Sequence, residues 1–390
     1  MTVKITKPEI NVREQLSELK KPTGVAGEAM LRAETPQEQF NLIGAGRRNM
    51  IINGDMRIAQ RGTSTTGIAA NSSGFHAVDR VKLFNAGGAG PTYTASQESD
   101  SPAGFAHSYK IQTTSADTSL PAAHYTILRL GLIEGQDLQG LAWGTSYAKA
   151  LTLSFWVKSN KTGDQTVLCV THDSMQQHIK QTFTISHANT WEKKEITFAG
   201  NTATAMLDIT TMGLCIDIFV AAGSSYRGGT GSQGVWGART SADKAADTLD
   251  IASSTSDYFQ ITGLQLETGK VATPFEHRSY GEELALCQRY YQIFESTAAF
   301  ASSTTAVEFA YQWNTEMRAA PSVSATAALM VERHNITNYT QSSASVSATL
   351  TTPIGSKFTI ANFSGLTSGN GYSYIGNHSS SGHIKLDAEL

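Results

Sequence analysis

Trp156 occupies a position from which an aromatic ring could bind a ligand. Residues 151–157 alternate apolar and polar side chains, a pattern that predicts a strand with one apolar and one polar face. Trp156 falls on the polar face, together with Ser154 and Lys158. Because sugars present flat C–H faces that stack on exposed Trp and Tyr rings, Trp156 is a candidate glycan platform. The alternative is that Trp156 is buried beneath a loop or at a subunit contact.

A long Gly-rich segment, residues 221–248, carries four further candidates for glycan binding. They are Tyr226, Arg227, Trp236 and Arg239. Aromatic rings and guanidinium groups on a long loop are typical of ligand-binding loops. A loop that wraps a neighbouring subunit has the same composition, and the sequence does not separate these two interpretations.

No arrangement of residues matches a catalytic or cofactor-binding motif. The sequence has no G-x-S-x-G, no H-E-x-x-H and no P-loop pattern. Gly229, Gly231 and Gly234 fit G-x-G-x-x-G by letter. Dinucleotide binding also requires a strand before these glycines and a helix after them, and the sequence predicts neither. We therefore expect no catalytic residue, no cofactor and no enzyme activity.

Acidic residues keep one enzymatic alternative open, because glycoside hydrolysis needs only two suitably separated carboxyl groups. The candidates are Asp208, Asp217, Glu267 and Glu276. With 33 Asp and Glu residues in the chain, some pair is expected to meet by chance. Hydrolysis is therefore the alternative rather than the main hypothesis.

Composition and charge exclude several classes of partner. The formal net charge is −3 and no Lys/Arg block occurs, so we expect no nucleic-acid partner. Cys169, Cys215 and Cys287 are far apart and form no C-x-x-C pair, which predicts neither a disulfide framework nor a metal site. The longest apolar run, residues 214–223, is too short for a bilayer and contains Asp217, so we expect no membrane insertion.

Residues 1–49 differ from the rest of the chain and form the first predicted domain, a helical anchor or oligomerisation segment. Two capping-box patterns each precede a short apolar stripe at helical spacing. Helices this short are marginal alone in water, so the stripes need a partner. That partner is another copy, a docking surface or the chain's own next domain. The stripe residues are Val12, Leu16, Leu19, Phe40 and Ile43.

Residues 50–278 form the second predicted domain, in which short strand patterns alternate with Gly, Ser and Asn turns. Such a series without intervening helices predicts an antiparallel β-sandwich. Residues 50–52 are expected to open it and residues 258–266 to close it. The apolar parity changes across Gly263, which predicts a bulge there.

Residues 279–390 form the third predicted domain, a linking helix followed by a small β domain. Ser279 and Glu282 form a capping box that should begin the helix. The later segments 346–350, 358–360 and 372–375 retain β-branched and aromatic residues, which favours strands over disorder.

Several motifs carry a resemblance to a known class of protein. LTLSFWVKS, TWEKKEITF, ITGLQLETG and the later CQRYY resemble a lectin-like, carbohydrate-binding-module-like jelly roll found in virion fibre and appendage proteins of tailed bacteriophages, especially marine ones. The resemblance covers the middle of the chain. It implies a mainly β fold in which a jelly-roll β-sandwich follows short N-terminal helices and precedes one helix and a small C-terminal β domain. It also implies a homotrimer.

The same resemblance implies a function. It is that of a non-enzymatic structural component of a phage virion, either a tail fibre or a head fibre or decoration protein. The N-terminus would attach to other virion proteins, and the distal β domains would contact host-surface polysaccharide. A polysaccharide depolymerase on the same scaffold is the alternative. The opening residues lack the apolar core of a secretion signal, so we expect assembly in the host cytoplasm and release by lysis.

Overall fold

The computed structural model describes residues 47–390 except 173–175, 230, 246–248, 295, 334–336 and 376–382, together with Met30, Arg32 and Gln39. The chain divides into two compact units, Met1–Arg48 and Asn49–Leu390. The predicted anchor stripe of residues 12–43 lies outside the described residues. None of the helices in the described part of the chain has the length and apolar character that a bilayer crossing requires.

The first part of the Asn49–Leu390 unit is built from strands joined by short turns. These strands are β1 (Ser64–Ile68), β2 (Ser72–Phe75), β3 (Lys82–Ala86), β4 (Thr92–Glu98), β5 (Ser108–Ser115), β6 (Tyr125–Glu134), β7 (Leu151–Ser159), β8 (Gly163–Thr171), β9 (Gln177–Ile185), β10 (Glu192–Phe198), β11 (Met212–Ala222), β12 (Trp236–Ala238) and β13 (Tyr258–Thr268). Short 3-10 helices lie at Gly135–Leu141, Ser224–Tyr226 and Ser241–Asp243.

These strands form two antiparallel sheets that face each other. A six-stranded sheet has the order β1-β4-β5-β13-β7-β10, and a seven-stranded sheet has the order β12-β9-β8-β11-β6-β3-β2. One apolar cluster fills the space between them, because alternate residues of each strand point inward. The prediction of a mainly β, antiparallel jelly-roll sandwich is confirmed.

Gly263 produces the bulge that the change of apolar parity predicts. Its φ is 64°, and the register of β13 against β7 shifts between Thr262 and Gln265. A Cβ atom at position 263 would lie 2.7 Å from the Phe105 ring and 3.1 Å from the Trp156 ring. Glycine is therefore required at position 263 for two reasons: the backbone is left-handed, and a Cβ atom would clash with two aromatic side chains.

The prediction that a strand at residues 50–52 opens the sandwich is wrong, because residues 51–56 form turns. The Asn49 side chain replaces the backbone ladder at this point. Its Nδ2 donates to the Leu264 carbonyl at 2.9 Å, and its Oδ1 accepts from the Leu266 amide at 3.1 Å. The segment still lies beside β13, since the Met50 amide donates to the Leu266 carbonyl at 2.9 Å.

The linking helix spans Tyr280–Gln288, and Ser279 begins it as predicted: the Ser279 hydroxyl accepts from the Glu282 amide at 3.3 Å. The residues that follow form a further set of strands. They are β14 (Tyr291–Phe294), β15 (Ser296–Ala301), β16 (Val307–Gln312), β17 (Ser322–Ala325), β18 (Met330–Arg333), β19 (Thr337–Thr340), β20 (Val346–Thr352), β21 (Gly355–Ile360), β22 (Gly371–Ile375) and β23 (Ile384–Asp387).

The strands after the linking helix form two antiparallel sheets with a core of their own. The three-stranded sheet has the order β14-β23-β17, and the seven-stranded sheet has the order β19-β18-β22-β15-β16-β21-β20. Phe294, Phe309 and Phe358 pack together at the centre of this core, with ring centroids 5.0–6.0 Å apart. The small β domain expected after the helix is therefore present.

Buried charges join the sandwich to the C-terminal strands. The Glu134 carboxylate, fully buried at the end of β6, accepts from Arg289 Nε at 2.7 Å and Nη2 at 2.8 Å. It also accepts from the Tyr290 hydroxyl at 2.7 Å. Arg80 lies 3.5 Å above the Tyr290 ring and forms an ion pair with Glu389. A buried carboxylate requires such partners, so this junction is specific in geometry.

Replacement of Glu134 tests the junction. Glu134→Gln removes the charge that binds Arg289, and we expect it to lower the free energy of unfolding by about 2–4 kcal/mol. Urea unfolding monitored by circular dichroism measures the change. The control is Glu195→Gln, which removes an exposed partner of Lys193 and should cost less than about 1 kcal/mol. Equal effects of the two substitutions would show that the Glu134 contacts do not stabilise the junction.

Candidate ligand-binding site on the seven-stranded sheet

The outer face of the seven-stranded sheet is apolar and covered. Strand β11 is buried on both of its faces, from Gly213 to Ala222. Leu214, Ile216, Ile218 and Val220 face the sandwich core, whereas Cys215 and Phe219 belong to a second cluster on the opposite face. A strand buried on both sides needs a cover on its outer side. Residues 221–245 supply part of that cover, with Tyr226 and Ala245 packed in the second cluster.

Contacts with the sheet hold the Gly-rich segment in place. The Tyr226 ring packs edge-on against Tyr125 of β6, with ring centroids 5.2 Å apart. The Ala245 amide donates to the Tyr226 carbonyl at 2.9 Å and closes the loop on itself. Between these points the chain pairs with β9 as the edge strand β12, where Trp236 lies opposite Ile179. The segment therefore covers the outer face of the sheet near Tyr226 and Ala245 and extends the edge of the sheet at β12.

A cavity of about 120 Å³ lies between this segment and the sheet. Aromatic side chains form part of its wall, and charged or polar groups converge on it from both the segment and the sheet. The aromatic lining residues are Phe84, Tyr125, Phe219 and Tyr226, and the charged or polar ones are Arg129, His178, Asp217, Arg239 and Lys244. Apolar walls with a few convergent polar groups are typical of a small-ligand site.

Arg129 and Asp217 form a bidentate ion pair on the sheet side of the cavity. Arg129 Nε donates to one carboxylate oxygen at 2.8 Å and Nη2 donates to the other at 2.9 Å. Burial raises the pKa of Asp217, but the charge and hydrogen bonds of Arg129 outweigh it, so the pKa lies below its usual value. Asp217 is therefore ionised and its charge is matched by Arg129.

Two further cations in the cavity have no carboxylate partner among the described residues. Among the described residues, neither Arg239 nor Lys244 forms an ion pair with a carboxylate. Burial and the charge of Arg239 lower the pKa of Lys244. The charged side chains among the described lining residues are thus three cations and one carboxylate.

Histidines add neutral polar groups to the same region. Burial and the charges of Arg129 and Arg239 lower the pKa of His172 to about 3. Burial, and to a smaller extent the charge of Lys244, lowers the pKa of His178. Both rings are therefore neutral at pH 7. Each has one buried nitrogen without a hydrogen-bond partner among the described residues, Nε2 of His172 and Nδ1 of His178.

The structure brings together two of the five predicted glycan-binding residues. Tyr226 and Arg239 line the cavity. Trp236 lies beside it, in an adjoining pocket of about 150 Å³ that shares His178. Its ring packs edge-on against Trp143 at 5.0 Å and its Nε1 donates to the Ala199 carbonyl.

The other two predicted residues lie elsewhere. Arg227 Nε donates to the Ala222 carbonyl at 2.7 Å, and its Nη2 lies 3.8 Å from Asp250. Trp156 is partly buried on the outer face of the other sheet, in the register position opposite Lys193. Neither residue contributes to the cavity described above.

The remaining cavity residues are not among the predicted binding residues. Lys244 is a single cation in polar surroundings of the sequence, whereas Arg129 interrupts the apolar run of residues 127–133. Only strand pairing and the loop path place the two together. Asp217 does give a signal, because it interrupts the apolar run of β11. A carboxylate within a strand buried on both faces requires a cation on a neighbouring strand.

Three of the four carboxylates considered for hydrolysis are held by ion pairs or hydrogen bonds within the fold. Asp217 pairs with Arg129 on the seven-stranded sheet, whereas Glu267 lies on the six-stranded sheet and accepts from the Thr273 hydroxyl at 2.7 Å. Glu276 accepts from the Asn49 amide at 2.9 Å. Asp208 lies exposed outside the strands. Gln265 lies between two of these four acids, because its Nε2 donates to the Glu267 carboxylate at 2.8 Å and its Oε1 accepts from the Glu276 amide at 2.8 Å.

No described feature holds a metal or a dinucleotide. In the part of the chain that the structure describes, no group of three or more His, Cys, Asp or Glu side chains is arranged around a metal position. At the glycines of the G-x-G-x-x-G match, Gly231 donates its amide to an Asp243 carboxylate oxygen at 2.7 Å. A carboxylate in that place repels a phosphate.

Comparisons with known proteins give distant likenesses only. No protein-family model matches the chain, and no curated protein matches it. Tailspike protein 4 of bacteriophage CBA120, enzymatically active domain, is similar over 56% of this chain and 21% of its own, with 11% identity and a TM-score of 0.30. A family 11 carbohydrate-binding module from Clostridium thermocellum is similar over 55% of this chain and 99% of its own, with 12% identity and a TM-score of 0.25. The tandem CBM22 domain of Paenibacillus barcinonensis Xyn10C is similar over 88% of this chain and 97% of its own, with 10% identity and a TM-score of 0.26. At these scores the fold assignment rests on the strand pairing of this chain.

The neutral state of His172 predicts a pH dependence of stability. Its pKa is about 3 when folded and about 6.5 when unfolded, so below pH 6.5 the unfolded chain binds a proton that the folded chain does not. Stability therefore falls as the pH is lowered from 6.5 towards 3. His172→Gln should reduce that fall.

Thermal unfolding at half-unit pH steps between 6.5 and 3.5 measures the difference. The exposed His187 provides the control, and His187→Gln should follow the wild-type curve. If His172→Gln also follows the wild-type curve, the ring is not held neutral by its surroundings.

Proposed function

We propose that the chain binds a polysaccharide in the cavity between the Gly-rich segment and the seven-stranded sheet. The observation that carries the proposal is the combination of aromatic walls, formed by Phe84, Tyr125 and Tyr226, with polar groups that converge on one small space. Sugar rings are bound by such combinations, because aromatic faces stack on C–H groups while polar side chains contact the hydroxyls. The adjoining pocket with Trp236 offers room for a second sugar unit.

We further propose that the chain is a non-enzymatic structural component of a phage virion, a tail fibre or a head fibre or decoration protein. The resemblance of its strand motifs to phage appendage proteins supports this placement. In this proposal residues 1–49 attach the chain to other virion proteins, residues 50–278 form the sandwich that binds host-surface glycan, and residues 279–390 form the distal part. The proposed assembly is a homotrimer made in the host cytoplasm and released by lysis.

Binding without cleavage is the first test. Tyr226→Ala removes an aromatic wall of the cavity, and we expect it to weaken binding to host polysaccharide about tenfold or more. Affinity electrophoresis in polysaccharide gels measures binding, and a reducing-end assay measures cleavage. Tyr147→Ala, at a ring that is 83% exposed and outside the cavity lining, is the matched control. New reducing ends would instead support the depolymerase alternative, and unchanged binding by Tyr226→Ala would exclude this cavity as the site.

Attachment to the particle is the second test. Deletion of residues 1–48 should abolish incorporation into virions and leave the sandwich folded, because residues 49–390 form a compact unit of their own and Asn49, which bonds to β13, is retained. Immunoblots of purified particles measure incorporation, and circular dichroism of the shortened protein confirms the fold. Particles that still carry the shortened chain would show that the anchor lies elsewhere.

A further inference from the structure

The charges of the cavity indicate which kind of sugar it accepts. Asp217 neutralises one cation, Arg129, through two hydrogen bonds. Arg239 and Lys244, which pair with no carboxylate of the described residues, then remain as positive charges on the wall of a partly closed, aromatic-lined space. Cations with little solvent and no counter-charge are unfavourable, so an anionic group inside the cavity would stabilise them.

The one described acid of the adjoining pocket does not provide that counter-charge. Asp243 lines the adjoining pocket together with His178 and Lys180. Its carboxylate is already engaged by the Gly231 amide and by the Thr240 hydroxyl. Asp243 forms no ion pair with Arg239 or Lys244.

His178 gives a second, independent observation. The residue is 6% exposed, it lines both the cavity and the adjoining pocket, and its buried Nδ1 has no hydrogen-bond partner among the described residues. A buried polar atom without a partner is unfavourable unless a ligand or water supplies one. A sugar ring has hydroxyl groups beside its acidic substituent, and one of them would satisfy this nitrogen.

We propose that the cavity is a subsite for an acidic sugar, one that carries a carboxylate or a sulfate ester, and that Arg239 and Lys244 bind the anionic group. This inference rests on the proposed glycan-binding function and narrows its substrate class. The planar guanidinium of Arg239 suits the oxygens of either anion, and the ammonium of Lys244 adds a flexible second charge. The Tyr226 ring packs on the apolar face of the same sugar.

The test compares polymers that differ only in charge. Polyglucuronate and its carboxyl-reduced, neutral form make one pair, and dextran sulfate and dextran make the other. Affinity electrophoresis and calorimetry should give at least tenfold tighter binding to an acidic polymer than to its neutral partner. The pair with the larger ratio of acidic to neutral binding identifies carboxylate or sulfate as the preferred group.

Charge-removing variants place the effect in the cavity. Arg239→Gln and Lys244→Gln should each weaken binding to the acidic polymer about tenfold and leave binding to the neutral polymer unchanged. Lys193→Gln removes the same charge from the outer face of the other sheet and should bind like the wild type. Melting temperatures confirm that each variant is folded.

The outcomes separate this inference from the function on which it rests. Equal binding to charged and neutral polymers, with Tyr226→Ala still defective, would overturn the acidic-sugar inference and leave glycan binding intact. If Lys193→Gln and Lys244→Gln weaken binding to the acidic polymer equally, the polymer is attracted by the positive charge of the whole surface. That result would also overturn the acidic-sugar inference. A folded protein that binds none of the four polymers would overturn the acidic-sugar inference, and glycan binding would also be overturned if the same protein failed to bind host polysaccharide.

Discussion

The pairing of one buried carboxylate determines the character of the proposed site. Asp217 lies in the middle of β11, a strand buried on both faces, where an unpaired charge would be strongly unfavourable. Arg129 on the neighbouring strand β6 satisfies both of its oxygens. That pair lies on the sheet side of the cavity and uses the one carboxylate among its described lining residues. The cations that the covering segment adds, Arg239 and Lys244, therefore remain available to a ligand.

The same rule governs the junction between the sandwich and the C-terminal strands. Glu134, fully buried at the end of β6, is matched by Arg289 and by the Tyr290 hydroxyl, both of which directly follow the linking helix. Arg80 and Glu389 form a second pair close by. Charge pairs of this kind are specific in position more than they are stabilising, because desolvation offsets most of the attraction. Their effect is to fix where the C-terminal sheets meet the sandwich.

Local patterns made much of the fold predictable, and long-range pairing made the site unpredictable. The alternation of β7 and the parity change at Gly263 are local, and the structure has the strand and the bulge at those places. The strand expected at residues 50–52 is absent because the Asn49 side chain takes the place of a backbone ladder, which no apolar pattern encodes. Tyr226 and Arg239 could be selected from composition, but their meeting with Arg129 depends on the register of β6 and β11.

The cavity residues come from two kinds of element, rigid strands and a loop, and these can serve different purposes in ligand binding. Strands β3, β6 and β11 supply Phe84, Arg129 and Asp217, which the sandwich holds in fixed positions through backbone pairing on both sides. The Gly-rich segment supplies Tyr226, Arg239 and Lys244, whose positions depend on a loop that contacts the sheet at a few points. Rigid elements position binding groups more accurately, and loops accept substitution more easily. Changes in this segment can therefore alter the charge that a ligand meets without altering the buried pair on which the sheet depends.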